Sequence, residues 1–498
     1  MVIDLARTFL YLRCRIVLAD GGAAVRPTPT ASETQAATER LTTLTATRTA
    51  AEGRQRTASD KVTTARTALD TAITTLNTEE TLANRNTRTI AQETLTAAET
   101  VLATENEAVD RVKNTENNQK SLNDRAAAAK RDAEPNYRVV PVANFLHSLF
   151  ASVDVQLNGR SVVSSSNNYA YKSYISTLLS ASRDAINSQY ENALFYPDDE
   201  KEFETGDKMF QSNTGVKQRF RATGGSQEFE LIDSLQIDLS NQEKLLIPGV
   251  NLTIALRKND PKFCLMSYED GIDFRVDITE AVLYVRQVEV SPSFLIETER
   301  RLLTDSAKYY FQRVEVSVLP LAVNSTIINE ANLSLASPAL SDRIVIGIVD
   351  TEAQLGSYRL NPFKFELNDL QSINFVFNGQ SMPYRMVPFQ RDKTENISRW
   401  LMGYHSLFSQ TGTMNHPQGS SWISREKWLH GYALLAFDFI PDGIVSDHLQ
   451  ISRGGVLNLE MRFNSPLTKV KSIIMLSSYD SYLQITGDRS ILANYTLG

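Results

Sequence analysis

Two stretches of this chain, about 220 positions apart, carry the same local instruction. Val153 to Leu157 form a strand-like run that stops at Asn158-Gly159, and Ile373 to Phe377 form another that stops at Asn378-Gly379. Asn-Gly suits the tight hairpin turn that needs positive φ at both central residues, so each stretch predicts strand, turn, strand. Both lead toward an aromatic helical segment: Tyr169, Tyr171, Tyr174, Ile175, Leu178 and Leu179 in one case, Trp400, Leu401, Tyr404, Leu407 and Phe408 in the other. A shared order of elements with little shared identity points to two diverged copies of one fold.

With 498 residues and 42% hydrophobic content, the chain has room for two or three domains, each with its own core; a single common core is not expected. The balance of 51 basic against 58 acidic residues, with no polybasic run, gives no source for counterion-release binding, so neither sequence-specific nucleic-acid binding nor direct genome contact is expected. Cys14 and Cys264 lie in apolar runs without zinc or disulfide spacing and read as reduced core residues. Asp4, Arg7, Arg13 and Arg15 break the apolar run that a leader peptide would need, so the segment Ile3 to Val17 reads as a strand. No 18-residue apolar window appears, so no membrane span is expected. Sequons at Asn251, Asn324 and Asn396 read as chance.

Residues 31 to 134 are compositionally foreign to the rest: 44 of 104 residues are Thr or Ala, aromatics and proline are missing, and Gly53 is the one breaker. Such a segment cannot build a globular core. Val62, Leu69, Leu76, Ala83 and Ile90 recur every seven positions, with Ala65, Ile73, Leu95, Ala98, Val101, Leu102, Val109 and Val112 at three-and-four spacings. This is a coiled-coil stripe, thin enough that a disordered low-complexity linker stands as the rival reading. Because the flanks belong to one domain, the insert should return to where it left, as an antiparallel hairpin turning at Asn84-Arg85-Asn86. Each arm would hold ~45 residues and rise roughly 65 to 70 Å, standing out as a tower.

From Pro135 onward short alternating runs dominate: Phe229 to Leu239, Leu245 to Leu256, Phe274 to Val290, Phe311 to Leu319, Arg343 to Val349, Tyr432 to Phe439, Val456 to Phe463 and Lys471 to Ser477. Turn clusters separate them, including Thr223-Gly224-Gly225-Ser226, Pro248-Gly249, Pro441-Asp442-Gly443 and Arg453-Gly454-Gly455. The fold class is therefore mainly β, two tandem sandwiches or jelly rolls with a long helical hairpin inserted in the first. The first domain spans 1–292, interrupted by 31–134; a linker helix spans 293–306; the second domain spans 307–498.

No constellation for catalysis emerges. His147, His405, His416, His430 and His448 have no metal-ligand spacing, and they read as structural. Asp198-Asp199-Glu200-Lys201-Glu202 lacks the alternation and glycine of a calcium loop and reads as a solvated loop. Gly224-Gly225 and Gly454-Gly455 read as turns, and no nucleophile elbow is present. No catalytic, cofactor-binding or metal-binding residue, and no cofactor, is expected.

Taken in order, Val142-Ala143-Asn144-Phe145-Leu146-His147-Ser148-Leu149-Phe150, the first Asn-Gly hairpin, Tyr169 to Leu179, Arg343 to Gly347, Asn361-Pro362-Phe363-Lys364-Phe365, Tyr404 to Phe408 and Gly431 to Asp438 resemble the double jelly-roll major capsid proteins, or hexons, of Maverick/Polinton elements and adintoviruses. The resemblance covers nearly everything except the insert. It implies a homotrimer of pseudo-hexagonal outline, tiling beside neighbouring capsomers and penton or minor capsid proteins around double-stranded DNA. The location implied is the virion, after synthesis in the host cytoplasm. Two departures stand out: family members carry an upstream segment supplying an early strand, so the reading frame is open to being truncated here, and the insert is foreign to the family core. The rival function is a β-sandwich attachment protein binding a receptor or carbohydrate; an enzyme is not expected.

Overall fold

The computed structural model describes residues 2–21, 32–78, 82–133, 138–162, 167–200, 202–204, 209–330, 333, 340–367, 369–391, 398–414, 422–439 and 454–494. Two compact units emerge, one from Met1–Val25 with Tyr137–Gly498 and one from Arg26–Asn136.

The larger unit is mainly antiparallel sheet. Its first half holds β1 (Val2–Leu18), β2 (Phe150–Leu157), β3 (Arg160–Ser161), β4 (Phe229–Asp233), β5 (Leu252–Lys258) and β6 (Phe274–Val288). Its second half holds β7 (Ala307–Leu321), β8 (Ile327–Glu330), β9 (Arg343–Asp350), β10 (Leu370–Phe377), β11 (Gln380–Pro388), β12 (Leu434–Asp438), β13 (Leu457–Phe463), β14 (Lys471–Ile485) and β15 (Ile491–Asn494). The sheets run β4-β1-β6 and β3-β2-β5 in the first half, and β8-β13-β10-β11 and β12-β9-β14 in the second, with β7 and β15 also on β14.

The halves repeat each other in register. In each, the long first strand pairs with a long later strand: Val2 faces Val288 and Leu18 faces Phe274, with the register broken between Asp4 and Phe9, as Ala307 faces Ile485 and Leu321 faces Lys471. The Asn-Gly hairpins then match residue for residue. Asn158 and Gly159 have φ of 48° and 76°, Asn378 and Gly379 of 48° and 85°, the left-handed pair that this turn demands. The strand entering each turn pairs with a later strand at the same point, Leu157 opposite Leu252 and Phe377 opposite Leu457. Seven residues upstream both ladders skip one residue, Ala151 in β2 and Gln371 in β10. A bulge is a designed feature of a strand, and finding it twice at one position marks duplication.

Each turn asparagine also does the same second job. Asn158 Oδ1 accepts the amide of Asn251 at 2.7 Å, and Asn378 Oδ1 that of Val456 at 2.9 Å. Replacing either by alanine forfeits that bond and leaves at positive φ a residue that tolerates it less well than asparagine, at an expected cost of about 1–2 kcal/mol. Asn378→Gly keeps the backbone freedom and should cost less than Asn378→Ala; urea unfolding of the two variants checks the order.

Separate cores are not what forms. One hydrophobic cluster runs from Leu12 and Val155 through Tyr174 and Phe363 to Ile474 and Leu483. The reason is an aromatic seam between the halves: Phe363 stacks on Tyr174 with ring centroids 4.0 Å apart and meets Tyr171 and Phe263 edge-on at 5.7 and 6.0 Å. Tyr171 and Tyr174 are carried on α3 (Tyr169–Ser180), whose buried face is the aromatic run read from the sequence.

Two strand expectations shrink. The run from Phe229 pairs only to Asp233 and then enters a 3-10 turn at Asp238–Asn241, and the run from Leu245 splits into a single bridge of Leu246 to Ile3 and a strand from Leu252, with the Pro248-Gly249 turn between them. Pro441-Asp442-Gly443 lies outside the described residues.

The smaller unit consists of α1 (Ser32–Thr78) and α2 (Leu82–Ala133). Val62, Ala65, Leu69 and Leu95 form its seam, with Ile73, Ala91, Ala98 and Leu102 against it. Arg54 reaches Glu105 at 3.3 Å and Arg66 reaches Glu99 at 3.0 Å, so the helices run in opposite directions. Asn84-Arg85-Asn86 falls inside α2 and does not form a turn. Ile90 and Val101 lie off the seam, 63% and 49% exposed. The seven-residue count was carried across the reversal, where a new helix restarts the phase at Ala91, Leu95, Ala98 and Leu102. Leu76 and Ala83 have side chains outside the described residues.

Candidate functional site

The two halves meet at a joint of buried charged and polar side chains. At its centre lies the acidic run expected to be solvated. Asp198 is 1% exposed and Arg219, on α4 (Thr214–Thr223), is 0% exposed. The Arg219 Nη2 donates to Asp198 Oδ1 at 2.6 Å, its Nε donates to the Pro141 carbonyl at 2.8 Å, and its Nη1 donates to the Tyr196 carbonyl. Asn213 caps α4 by accepting the Val216 amide and gives its Nδ2 to Asp198 at 3.1 Å.

From the second half, Asn361 Nδ2 donates to Asp198 Oδ2 at 2.9 Å, and the Tyr432 hydroxyl donates to the Asp198 carbonyl at 2.6 Å. Three hydrogen bonds thus reach this buried carboxylate, two on Oδ1 and one on Oδ2, and such pairing is what lets a buried charge be tolerated. Around it, Glu204 takes the Asn361 amide at 2.9 Å and pairs with Lys364 at 3.0 Å, and Glu200 pairs with Lys427 at 3.1 Å. Burial pushes the Lys364 ammonium down, but Glu204 and Glu366 outweigh it and hold the group above its ordinary value. The acidic run is thus a structural clamp: its carboxylates are consumed by partners that sequence spacing alone does not bring together.

Further ties cross the same boundary. Lys172 pairs with Asp238 at 2.6 Å, and Asp238 accepts the amide of Val314 in β7 at 3.2 Å. Asn158 Nδ2 and Arg160 Nη1 donate to the carbonyls of Arg489 and Ile491 at 2.9 and 2.6 Å. Tyr309 accepts from the Ile247 amide and donates to the Leu245 carbonyl, both at 3.1 Å.

His147 is buried, with Nδ1 2.9 Å from the Tyr169 hydroxyl and Nε2 3.2 Å from Asp233. His430 lies 3.4 Å from Glu426, and His405 is exposed on the helix Leu401–Ser409. His416 and His448 lie outside the described residues. Cys14 and Cys264 are free and buried, and burial raises both thiols to about 12. Among the described residues no three His, Cys, Asp or Glu side chains are grouped to hold a metal, and no helix is long and apolar enough to cross a membrane.

One carboxylate cluster responds to pH. Asp342 accepts the Asp480 amide at 2.8 Å, and burial, then the charges of Asp480 and Asp438, push its carboxyl up to about 6. An unfolded aspartate titrates near pH 4, so between about pH 4 and about pH 6 the folded chain holds the proton more tightly. This contribution therefore favours folding at the acid end of that window and fades as pH rises through it. Asp342→Asn should flatten the difference between urea midpoints measured at about pH 4.5 and about pH 7.

No family model matches the chain. An uncharacterized protein of Caenorhabditis elegans is 21% identical over 325 residues, 65% of this chain and 74% of that protein. Similar solved structures include a chain of the Sputnik virophage (11% identity, 72% of this chain and 77% of that one, TM-score 0.46) and the mavirus major capsid protein (11%, 72% and 80%, 0.40). The Faustovirus major capsid protein is similar at 8% identity, with 69% and 73% covered and a TM-score of 0.40. The chain resembles the double jelly-roll major capsid proteins. Arg219, Asn213 and Tyr432, the partners of Asp198, were not legible as a site; the signals present were Asn213 as a helix cap and the Asn361-Pro362-Phe363-Lys364-Phe365 motif.

Proposed function

We propose that this protein is a structural capsid subunit: two jelly rolls, 1–292 and 307–498, joined by a linker helix at 293–306, with 31–134 as a helical coiled-coil hairpin inserted in the first. Three copies would close into a capsomer of pseudo-hexagonal outline, set beside neighbouring capsomers and penton or minor capsid proteins in an icosahedral virion or virus-like transposon. The observation that carries this reading is the hairpin, bulge and long-strand pairing found twice in one compact unit. A three-fold rotation of a plate with two like sides yields six like sides, which is what hexagonal tiling requires. No catalytic role is proposed; the buried Asp198–Arg219 cluster serves the joint between the halves.

Electron microscopy of the purified full chain at rising concentration tests the proposal. Six-sided particles that pack into hexagonal sheets or shells are expected. Dispersed particles that retain glycans on an array would instead favour an attachment protein.

A further inference from the structure

Ile90 and Val101, 63% and 49% exposed, belong to a second stripe on α2. Ile90, Thr94, Ala97, Val101, Thr104 and Ala108 follow one another at alternating spacings of four and three residues, which lines them up along one face of a helix. The charged residues of the same stretch, Glu93, Glu99, Glu105 and Glu107, all fall off this face. Thr94 and Thr104 give their hydroxyls to the carbonyls of Ile90 and Thr100 at 2.8 and 3.0 Å, so what they add to the stripe is a methyl group. The seam with α1 uses the neighbouring face, Ala91, Leu95, Ala98 and Leu102. The helix thus carries two apolar stripes, and α1 covers one of them.

The open stripe has edges of opposite sign. Glu105, four residues from Val101 and three from Ala108, stands on the stripe's side of the seam, and Arg54 of α1 meets it there at 3.3 Å. Gln55–Asn106 and Arg66–Glu99 bridge the helix pair on its other side, at 2.7 and 3.0 Å. Lys61, seven residues after Arg54, joins it on the basic edge. Beyond the stripe on α2, Glu93 and Glu107 lie three or four residues from Ile90, Ala97 and Thr104 and form the acidic edge. Arg54 and Glu107 remain more than half exposed in their pairings with Glu105 and Arg111, so both charges stay open to a neighbour. A two-fold axis across the helices would set basic edge on basic edge and acidic on acidic. Rotation about an axis along the helices keeps each residue at its own height and sets every acidic edge against the next copy's basic edge. Arg54 is level with Glu105, two residues or about 3 Å along the helix from Glu107, so this second arrangement brings opposite charges together in register.

We propose that the helical hairpin is an assembly element, in which the Ile90 to Ala108 stripe packs against the hairpins of the other copies in the capsomer, all pointing the same way. That the copies number three rests on the capsomer reading above; that the hairpins pair in parallel and in register rests on the stripe and its two edges. The bundle also supplies the further packing that a threonine-rich helix needs, because Thr is a mediocre helix former and long helices draw their stability from tertiary contacts.

Disulfide trapping in the full chain tests the bundle. Thr94→Cys and Val101→Cys place thiols about 10 Å apart along the stripe, and Ser59→Cys, seven residues before Arg66, places one on the opposite side of the pair. The native Cys14 and Cys264 are buried and stay out of the reaction. Each variant is oxidised mildly at micromolar concentration and run on a non-reducing gel, with circular dichroism checking that its helicity matches the parent and light scattering giving the parent's mass. Both stripe variants should form covalent dimer at least roughly tenfold faster than Ser59→Cys, because thiols held side by side react at a far higher effective concentration. A parent of three chain masses whose stripe variants link no faster than Ser59→Cys overturns the hairpin bundle and leaves the capsomer reading standing. Linking at one stripe position but not the other overturns parallel, in-register pairing. Fast linking at both positions in a parent of two chain masses supports the pairing and overturns the three-copy capsomer.

Discussion

Asp198→Ala is expected to remove about 3–5 kcal/mol of stability. The substitution leaves the Arg219 guanidinium buried at 0% exposure without its carboxylate, and strips Asn213 and Asn361 of a shared acceptor. An unpaired buried charge, not the loss of one favourable contact, sets the magnitude. The double variant Asp198→Leu with Arg219→Met removes both charges together and should recover much of the loss. The exposed pair Arg13–Glu230, 3.4 Å apart, serves as the contrast, since Glu230→Ala should change stability by less than about 1 kcal/mol. Urea unfolding followed by far-UV circular dichroism measures all three. If Asp198→Ala costs no more than Glu230→Ala, the clamp is not what unites the halves.

Phe363→Ala should be nearly as damaging, at about 3–5 kcal/mol, for a different reason. The ring fills the seam against Tyr174, Tyr171 and Phe263, and truncating it leaves a cavity among aromatic neighbours that are themselves 0–6% exposed and cannot collapse freely. The loss falls on the contact between halves and spares each half's own strand ladders. The variant should therefore unfold in two separated calorimetric steps where the parent unfolds both halves in one, and a parent that already shows two steps would contradict a shared core.

The repeated hairpin was readable because its signal is local: Asn-Gly restricts φ over two residues, and the flanking runs announce the strands. The helical segment was readable by composition, and its turn was misplaced because asparagine is a weak helix breaker while the reversal is fixed by packing of Val62, Ala65 and Leu69 against Leu95. The acidic run was misread because Asp198 finds its partners 15, 21 and 163 residues away in Asn213, Arg219 and Asn361, and nothing in a run of carboxylates says whether distant cations will meet it. The shared core was equally hidden. Apolar periodicity shows that Phe363 and Tyr174 are buried, but only tertiary structure shows them buried against each other.

The central claim is that two like halves, locked on one core, form one side-pair of a closed trimer. Multi-angle light scattering of the purified full chain on a sizing column reads this directly: the account predicts a single species with three times the 55.7 kDa mass of the chain, unchanged on dilution. A species that remains at one chain mass at every concentration would contradict it.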